Sequence, residues 1–364
     1  MKVDGKPYRT IWLAENGRSV KLIDQTQLPH EFKIVTLETL DDAVHAIRNM
    51  LVRGAPLIGA TSAYGICLAV KEESSDEAIR YAYDVLLTTR PTAVNLRKAL
   101  DQMYEHLMGL SPEDRMEGAY SKAADICNED IKINELIGLH GLRVIEEIGT
   151  SKTDGEFVNI LTHCNAGWLA TVDKGTALSP VYRAHDMGIP VHVWVDETRP
   201  RNQGASLTAW ELDKYGVPYT VVTDNVGGHL MQHGMVDICL VGSDRTTASG
   251  DVCNKIGTYL KALAAKENNV PFYVALPSPT IDWDIQDGLQ AVPIEQRDAK
   301  EVSYIRGKDE NGDLVTVSIL PEGSQVVNYS FDVTPAKYVT GLITEKGVCS
   351  ASREGLLELF SEEV

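Results

Sequence analysis

The sequence predicts an α/β fold: a C-terminal Rossmann-like parallel-sheet domain joined to a smaller, mainly helical N-terminal domain that carries a small β element. Two observations lead there. From Thr39 to about Asp130 apolar residues recur at helical spacing, and beyond Phe157 short apolar runs alternate with helical stretches, the texture of a doubly wound parallel sheet. Each run ends in a polar segment, and in open α/β sheets the ligand crevice lies outside such carboxyl ends. With 364 residues the chain accommodates two domains, placed at 1–130 and 131–364.

Taken in order, Tyr8–Leu13 and Val20–Ile23 read as short strands around a turn at Glu15–Gly17. Leu40, Ala43, Val44, Ile47 and Leu51 share one helix face, with Asp41 and Asp42 in the first turn, where the dipole favours acids. After Arg53-Gly54-Ala55-Pro56, the small apolar residues of Leu57–Val70 suit a helix packed close to its neighbours. Pro91 breaks the following helix, Asn95–Met108 forms another, and helical period returns over Glu129–Ile148 before the polar Ser151–Glu156. The expected strands are Phe157–Leu161, Val191–Val195, Tyr219–Val222, Ile238–Val241 and Phe272–Leu276. They are followed by THCNAG, DETRPRNQG, TDNVGG, GSDRTTASGD and PSPTID. Short β runs return at Val302–Ile305, Val315–Leu320, Gln325–Asn328 and Tyr338–Gly341.

A net charge of −18 argues against nucleic acid or an anionic membrane as partner. A small anion remains compatible if local basic groups overcome the global field. No uninterrupted apolar run approaches the roughly 18 residues of a membrane span, and no export signal is visible at the N-terminus. Six cysteines without a CxxC pair are expected to be reduced thiols in cytoplasm.

The stretch Asn159–Thr176 holds the first candidate. Cys164 follows a strand, is flanked by His163, Asn165 and Gly167, and is expected beside a helix start whose dipole would favour a thiolate. A buried core thiol is the ordinary alternative. Asp244, in Gly242-Ser243-Asp244-Arg245, follows the strand Ile238–Val241. It would serve as a helix cap, pair with Arg245, or place a carboxyl at the mouth of the same crevice. Gly250–Lys255 is expected to open a helix, so that Asn254, Lys255 and backbone donors could hold a phosphate. Arg53 and Arg90, each beside a proline turn, suit a bidentate phosphate clamp. His229 and His233, four apart, lack a third metal ligand, and no metal site is expected. P-loop and GxGxxG patterns are absent.

RGAP (Arg53–Pro56), RPTAVNL (Arg90–Leu96), THCNAG (Thr162–Gly167), DETRPRNQG (Asp196–Gly204), GSDR, GDVCNKIGTY (Gly250–Tyr259), PIEQR (Pro293–Arg297) and FDVTP (Phe331–Pro335) together resemble the methylthioribose-1-phosphate isomerases over essentially the whole chain. The same fold is used by regulatory subunits of a eukaryotic translation-initiation exchange factor, which lack the Cys/Asp pair. The resemblance implies isomerisation of 5-methylthioribose 1-phosphate to 5-methylthioribulose 1-phosphate in methionine salvage, without cofactor, by a homodimer. It implies Cys164 and Asp244 as the catalytic pair, with Arg53, Gly54, Ala55, Arg90, Gln203, Asn254 and Lys255 contacting substrate. Trp168, GSDRTTASGD and PSPTIDWD depart from the family pattern, which bears on the 5-substituent. A 5-deoxyribose 1-phosphate is the alternative substrate, and Trp168 the residue singled out for that choice.

Overall fold

The computed structural model describes residues 1–90, 93–153 and 155–361. Lys2–Val3 (β1) and Lys6–Pro7 (β2) form a ribbon, and Ile11–Leu13 (β3), Val20–Ile23 (β4) and Ile34–Leu37 (β5) a three-stranded antiparallel sheet. Five helices follow: Leu40–Arg48 (α1), Ala55–Glu72 (α2), Asp76–Leu87 (α3), Val94–Met108 (α4) and Arg115–Gly149 (α5). Thr39 and Asp42 close a capping box on α1, satisfying donors that a helix start leaves open. The central helix α2 is buried almost all round. At Gly59 a Cβ would stand 3.0 Å from the Asn95 carbonyl of α4, so the missing side chain is what lets the two helices approach. Leu57, Ile66, Leu68, Leu86, Leu96 and Leu100 form one apolar core with Ile11 and Leu22 of the small sheet.

The helix expected at Glu129–Ile148 is the second half of α5, a single run of 35 residues. Its first half lies in the helical stretch expected up to about Asp130, and its buried residues, Ala119, Ala123 and Cys127, are small. They recur every four residues and join the core around α2. Beyond residue 130, Ile137, Leu142, Val144 and Ile145 join a second core against the main sheet. The Pro91 and Thr92 of the RPTAVNL motif and Asp154 of the polar stretch lie outside the described residues.

The chain then alternates: Val158–Thr162 (β6), Leu178–Asp186 (α6), Val191–Asp196 (β7), Ala209–Tyr215 (α7), Tyr219–Val222 (β8), Val226–Gln232 (α8) and Ile238–Val241 (β9). Next come the hairpin Arg245–Thr247 (β10) and Val252–Lys255 (β11), helix Thr258–Glu267 (α9) and Phe272–Ala275 (β12). Ile281–Asp282 (β13), Tyr304–Lys308 (β14), Leu314–Ser318 (β15), Phe331–Thr334 (β16), Gly341–Thr344 (β17) and Gly347–Cys349 (β18) complete the strands. The main sheet runs β18-β17-β12-β9-β6-β7-β8. All its pairs are parallel except β17/β18.

From β6 the chain winds outward through β7 and β8, then crosses back to lay β9 on the other side of β6. This reversal is the topological switch point of an open α/β sheet, where a crevice opens between adjacent carboxyl ends. A second, four-stranded sheet, β13-β10-β11-β16, stands over that crevice.

Several local expectations are corrected. Gly250–Lys255 opens no helix; Val252–Lys255 is a strand between β10 and β16, and the helix starts at Thr258. Only a 3₁₀ turn, Trp168–Ala170, follows THCNAG before α6. In the tail, Val302 lies in a helical turn at Lys300–Ser303, Gln325–Asn328 is not a strand, and Tyr338 ends a 3₁₀ turn. These stretches are too short and polar for periodicity to decide.

Gly54, with φ of 91°, presses α2 onto the loop after β6; a Cβ there would lie 2.4 Å from the Ala170 carbonyl oxygen. Gly54→Ala is therefore expected to destabilise the protein by at least about 1 kcal/mol, read as a lower urea midpoint.

Candidate active site

The site starts from an unusual backbone conformation. Cys164, just past the carboxyl end of β6, has φ of 65°, a left-handed turn that non-glycine residues rarely adopt. Three bonds impose it. The Cys164 N–H donates to Thr198 Oγ1 at 2.8 Å, the Thr208 hydroxyl donates to the Cys164 carbonyl at 2.7 Å, and Thr198 is tied in turn to the Asp196 carbonyl at 3.0 Å. The thiol is 6% exposed and lies 3.5 Å from Gln203 Oε1. Burial pushes its pKa up, while Arg53 and Lys255 pull it back and Asp244 adds to the rise. The expected helix dipole is absent, since the next segment is a 3₁₀ turn. The cations take its place.

Asp244 follows β9, the strand on the other side of β6, and its N–H donates to the Cys253 carbonyl at 3.0 Å. It caps no helix. Arg245 turns away to Asp282 at 3.2 Å, leaving Asp244 to the crevice. Burial raises the Asp244 pKa; Lys255, Arg53 and Arg90 oppose it.

The same crevice gathers the basic groups. Arg53 donates to Asn165 through both terminal nitrogens, to Oδ1 at 2.5 Å and to the backbone carbonyl at 2.7 Å. Gly54 and Ala55 bring the N-terminus of α2 to the cavity wall, a position that attracts anions through unpaired N–H groups. Lys255, at the end of β11, lies 4.7 Å over the Phe331 ring, and burial lowers its pKa against the pull of Cys164 and Asp244. Arg90 pairs with Glu295 at 2.8 Å and keeps a buried Nε without a protein partner. Asn254 is buried, donating to Thr258 at 3.0 Å.

One cleft, partly open to solvent, is lined by Arg53, Gly54, Ala55, Arg90, Cys164, Gln203, Asp244 and Lys255. An adjoining recess adds Asn254. Every residue singled out in the sequence as catalytic or substrate-contacting therefore lines this connected space. Met50, Ile58, Ala93, Val292 and Phe331 supply an apolar side.

Two suspects move away from the chemistry. His163 is locked between Asp196 Oδ2 at 2.9 Å and the Ile256 carbonyl at 2.8 Å. With Asp224 it makes a cluster resembling a metal ligand set, but Lys261 lies 3.1 Å from Asp196 and donates to the Asp224 carbonyl, supplying the positive charge there. Trp168 is wholly buried beside Trp210 and lines neither part of the cavity, so it does not touch a ligand there. His229 and His233 stack on α8, their ring centres 4.2 Å apart.

The profile of the Initiation factor 2 subunit family matches residues 51–351. The methylthioribose-1-phosphate isomerase of Paramagnetospirillum magneticum is 62% identical over 362 residues, covering 100% of this chain and 99% of that protein. The chain belongs to the methylthioribose-1-phosphate isomerase family. Among solved structures, 5-methylthioribose 1-phosphate isomerase from Pyrococcus horikoshii superposes with a TM-score of 0.82 at 37% identity, covering 98% of this chain and 97% of that one. A translation initiation factor eIF-2B delta subunit from A. fulgidus gives 0.79 at 38%, covering 98% and 100%.

Sequence reasoning missed several residues of this family member's cleft. Met50 and Val292 line it from stretches without a strong pattern, and Arg297, the last residue of the PIEQR motif, lines it without having been given a role. Glu211 lies beneath it, an acid among the buried Ala209, Trp210 and Leu212; that lone charge in an apolar run was the available signal.

With its pKa raised, Cys164 is expected to alkylate slowly with iodoacetamide at pH 7 and faster through and above the ordinary thiol range. Lys255→Met removes a cation that lowers that pKa, so alkylation of the Cys164 peptide, followed by mass spectrometry, should slow further.

Proposed function

We propose that the protein is an intramolecular aldose–ketose isomerase that converts 5-methylthioribose 1-phosphate to 5-methylthioribulose 1-phosphate, with Cys164 and Asp244 as proton-transfer groups. The observation that carries the reading is the placement of a thiol and a carboxyl on the two strands flanking the switch point, facing one cleft. Residues 1–130 and 131–364 act as two lobes around that cleft, the first contributing Arg53 and Arg90, the second Cys164, Asp244 and Lys255.

The anomeric phosphate blocks spontaneous ring opening, so an acid must act first. Asp244, its pKa raised by burial, protonates the ring oxygen as the C1–O bond breaks. The Cys164 thiolate, favoured by Arg53 and Lys255, then takes the proton from C2, forming an enol, and the resulting thiol, after exchange with solvent, delivers a proton to C1. The 2-hydroxyl returns a proton to Asp244 as the ketone forms, so both groups end as they began. Arg53, Arg90, Lys255 and the α2 N-terminus hold the phosphate, and Gln203 and Asn254 orient the sugar hydroxyls. The apolar wall of Met50, Ile58, Val292 and Phe331 supports a methylthio group over a polar 5-substituent, and 5-deoxyribose 1-phosphate is the second substrate that wall would accept. No cofactor enters this sequence of steps. The acidic net charge supports a small molecule over nucleic acid as ligand, the free cysteines support a cytoplasmic setting, and the family resemblance implies a homodimer.

Turnover of the 5-methylthio, 5-deoxy and unmodified ribose 1-phosphates by purified protein tests the reading, with kcat/KM expected in that order. Cys164→Ser and Asp244→Asn should each lower kcat by about 10²–10⁴-fold with Tm little changed; normal turnover in both variants would remove this pair from the chemistry, and no turnover by the wild type would leave a non-catalytic binding role. Substrate deuterated at C2 should lose label to solvent. Complete retention at C1 would mean a hydride shift and would overturn the role given to Cys164.

A further inference from the structure

Below the cleft lies a carboxylate that the reaction steps leave unused. Glu211, on α7, is completely buried, yet its two oxygens receive four hydrogen bonds. Asn165 Nδ2 and the Leu169 N–H donate to Oε1, each at 2.9 Å. The Trp168 N–H, at 2.9 Å, and the Tyr182 hydroxyl, at 2.8 Å, donate to Oε2. Gly167 makes room: a Cβ there would stand 1.9 Å from Oε2. A carboxylate has about four lone-pair sites, so this one is full.

The polarity of these bonds reaches the cleft. Because Glu211 can only accept when ionised, it fixes Asn165 with its NH₂ inward and its carbonyl oxygen outward. That oxygen, together with the Asn165 backbone carbonyl, takes two N–H groups of Arg53. Burial raises the Glu211 pKa to about 7 against these four donors, so in its ionised form, above that pH, the chain Arg53–Asn165–Glu211 is an ion pair transmitted through one amide, and it leaves the remaining guanidinium donors at the cleft wall. We propose that Glu211 is the positioning residue for Arg53, acting through Asn165 to present the guanidinium to the phosphate of the substrate.

A glutamine at 211 cannot serve all four donors. Its NH₂ must face either the Trp168 N–H or the Leu169 N–H and Asn165. In the first case Asn165 keeps its orientation but loses the negative charge behind it; in the second it turns over and meets Arg53 donor to donor. The inference rests on the isomerase reading only in taking the phosphate as the ligand of Arg53, and its test needs no turnover.

Inorganic phosphate is titrated calorimetrically into the wild type, Glu211→Gln, Arg53→Ala and the double variant. Each single variant is expected to weaken phosphate at least tenfold, and the double to weaken it little more than Arg53→Ala alone, the mark of one shared pathway. Asn165→Ala, which cuts the relay but leaves Glu211 its bonds to Trp168, Leu169 and Tyr182, should show the same loss, and it decides the matter if Glu211→Gln does not fold. Tyr182→Phe, off the relay, should bind phosphate within twofold of wild type. Undiminished phosphate binding in Glu211→Gln or Asn165→Ala, losses that multiply in the double variant, or no phosphate binding by the wild type overturns the proposal. Failure of the isomerase reading would show differently, as intact phosphate binding without turnover of any pentose 1-phosphate.

Discussion

The site depends on one strained turn. Left alone, the residue after β6 would keep an extended or right-handed backbone, and a left-handed one costs roughly 1–3 kcal/mol. Thr198 and Thr208 hold Cys164 there from opposite sides, and both lie in the segment that follows β7. That segment is itself anchored by Asp224, whose carboxylate accepts the Thr198 and Arg199 N–H groups at 2.7 Å each. The loops after three neighbouring strands, β6, β7 and β8, are therefore bound into one unit, and the thiol inherits their rigidity.

Charge explains how a protein with a net −18 can receive an anion. The cleft concentrates Arg53, Arg90, Arg297, Lys255 and a helix N-terminus, in surroundings where Coulomb forces act more strongly than in water. The acids that counter them stand behind: Glu295 and Glu301 around Arg297, Glu211 beyond Asn165. Burial raises the pKa of both the thiol and the carboxyl, and these cations pull each of them back. The same enclosure that strengthens phosphate binding thus favours the protonated carboxyl from which ring opening starts, while the cations favour the thiolate that acts at C2.

Long, regular features were legible in the sequence. Val20–Ile23, Tyr219–Val222 and Ile238–Val241 occur where the apolar runs place them; Ile238–Val241, wholly buried within the parallel sheet, is written as a continuous hydrophobic stretch for that reason. The residues that line the cleft were legible through their resemblance to known motifs; their assembly into one space follows from strand order, which no local pattern encodes. The helix at Gly250–Lys255 failed because the decisive partners, β10 and β16, lie at other points along the chain. Trp168 misled for a related reason. Proximity to Cys164 in sequence put it next to the thiol, but the turn at Ala166–Gly167 sends its ring into the core beside Trp210.

The helix α5 spans 35 residues, about 52 Å at 1.5 Å per residue, and contributes side chains first to the core around α2 and then to the core beneath the main sheet. A rod shared in this way couples the melting of one core to that of the other. Melting of this helix would loosen both cores from which the loops around the crevice project. The cleft is then expected to be lost or kept as a whole, with heat inactivation following the loss of the two cores together.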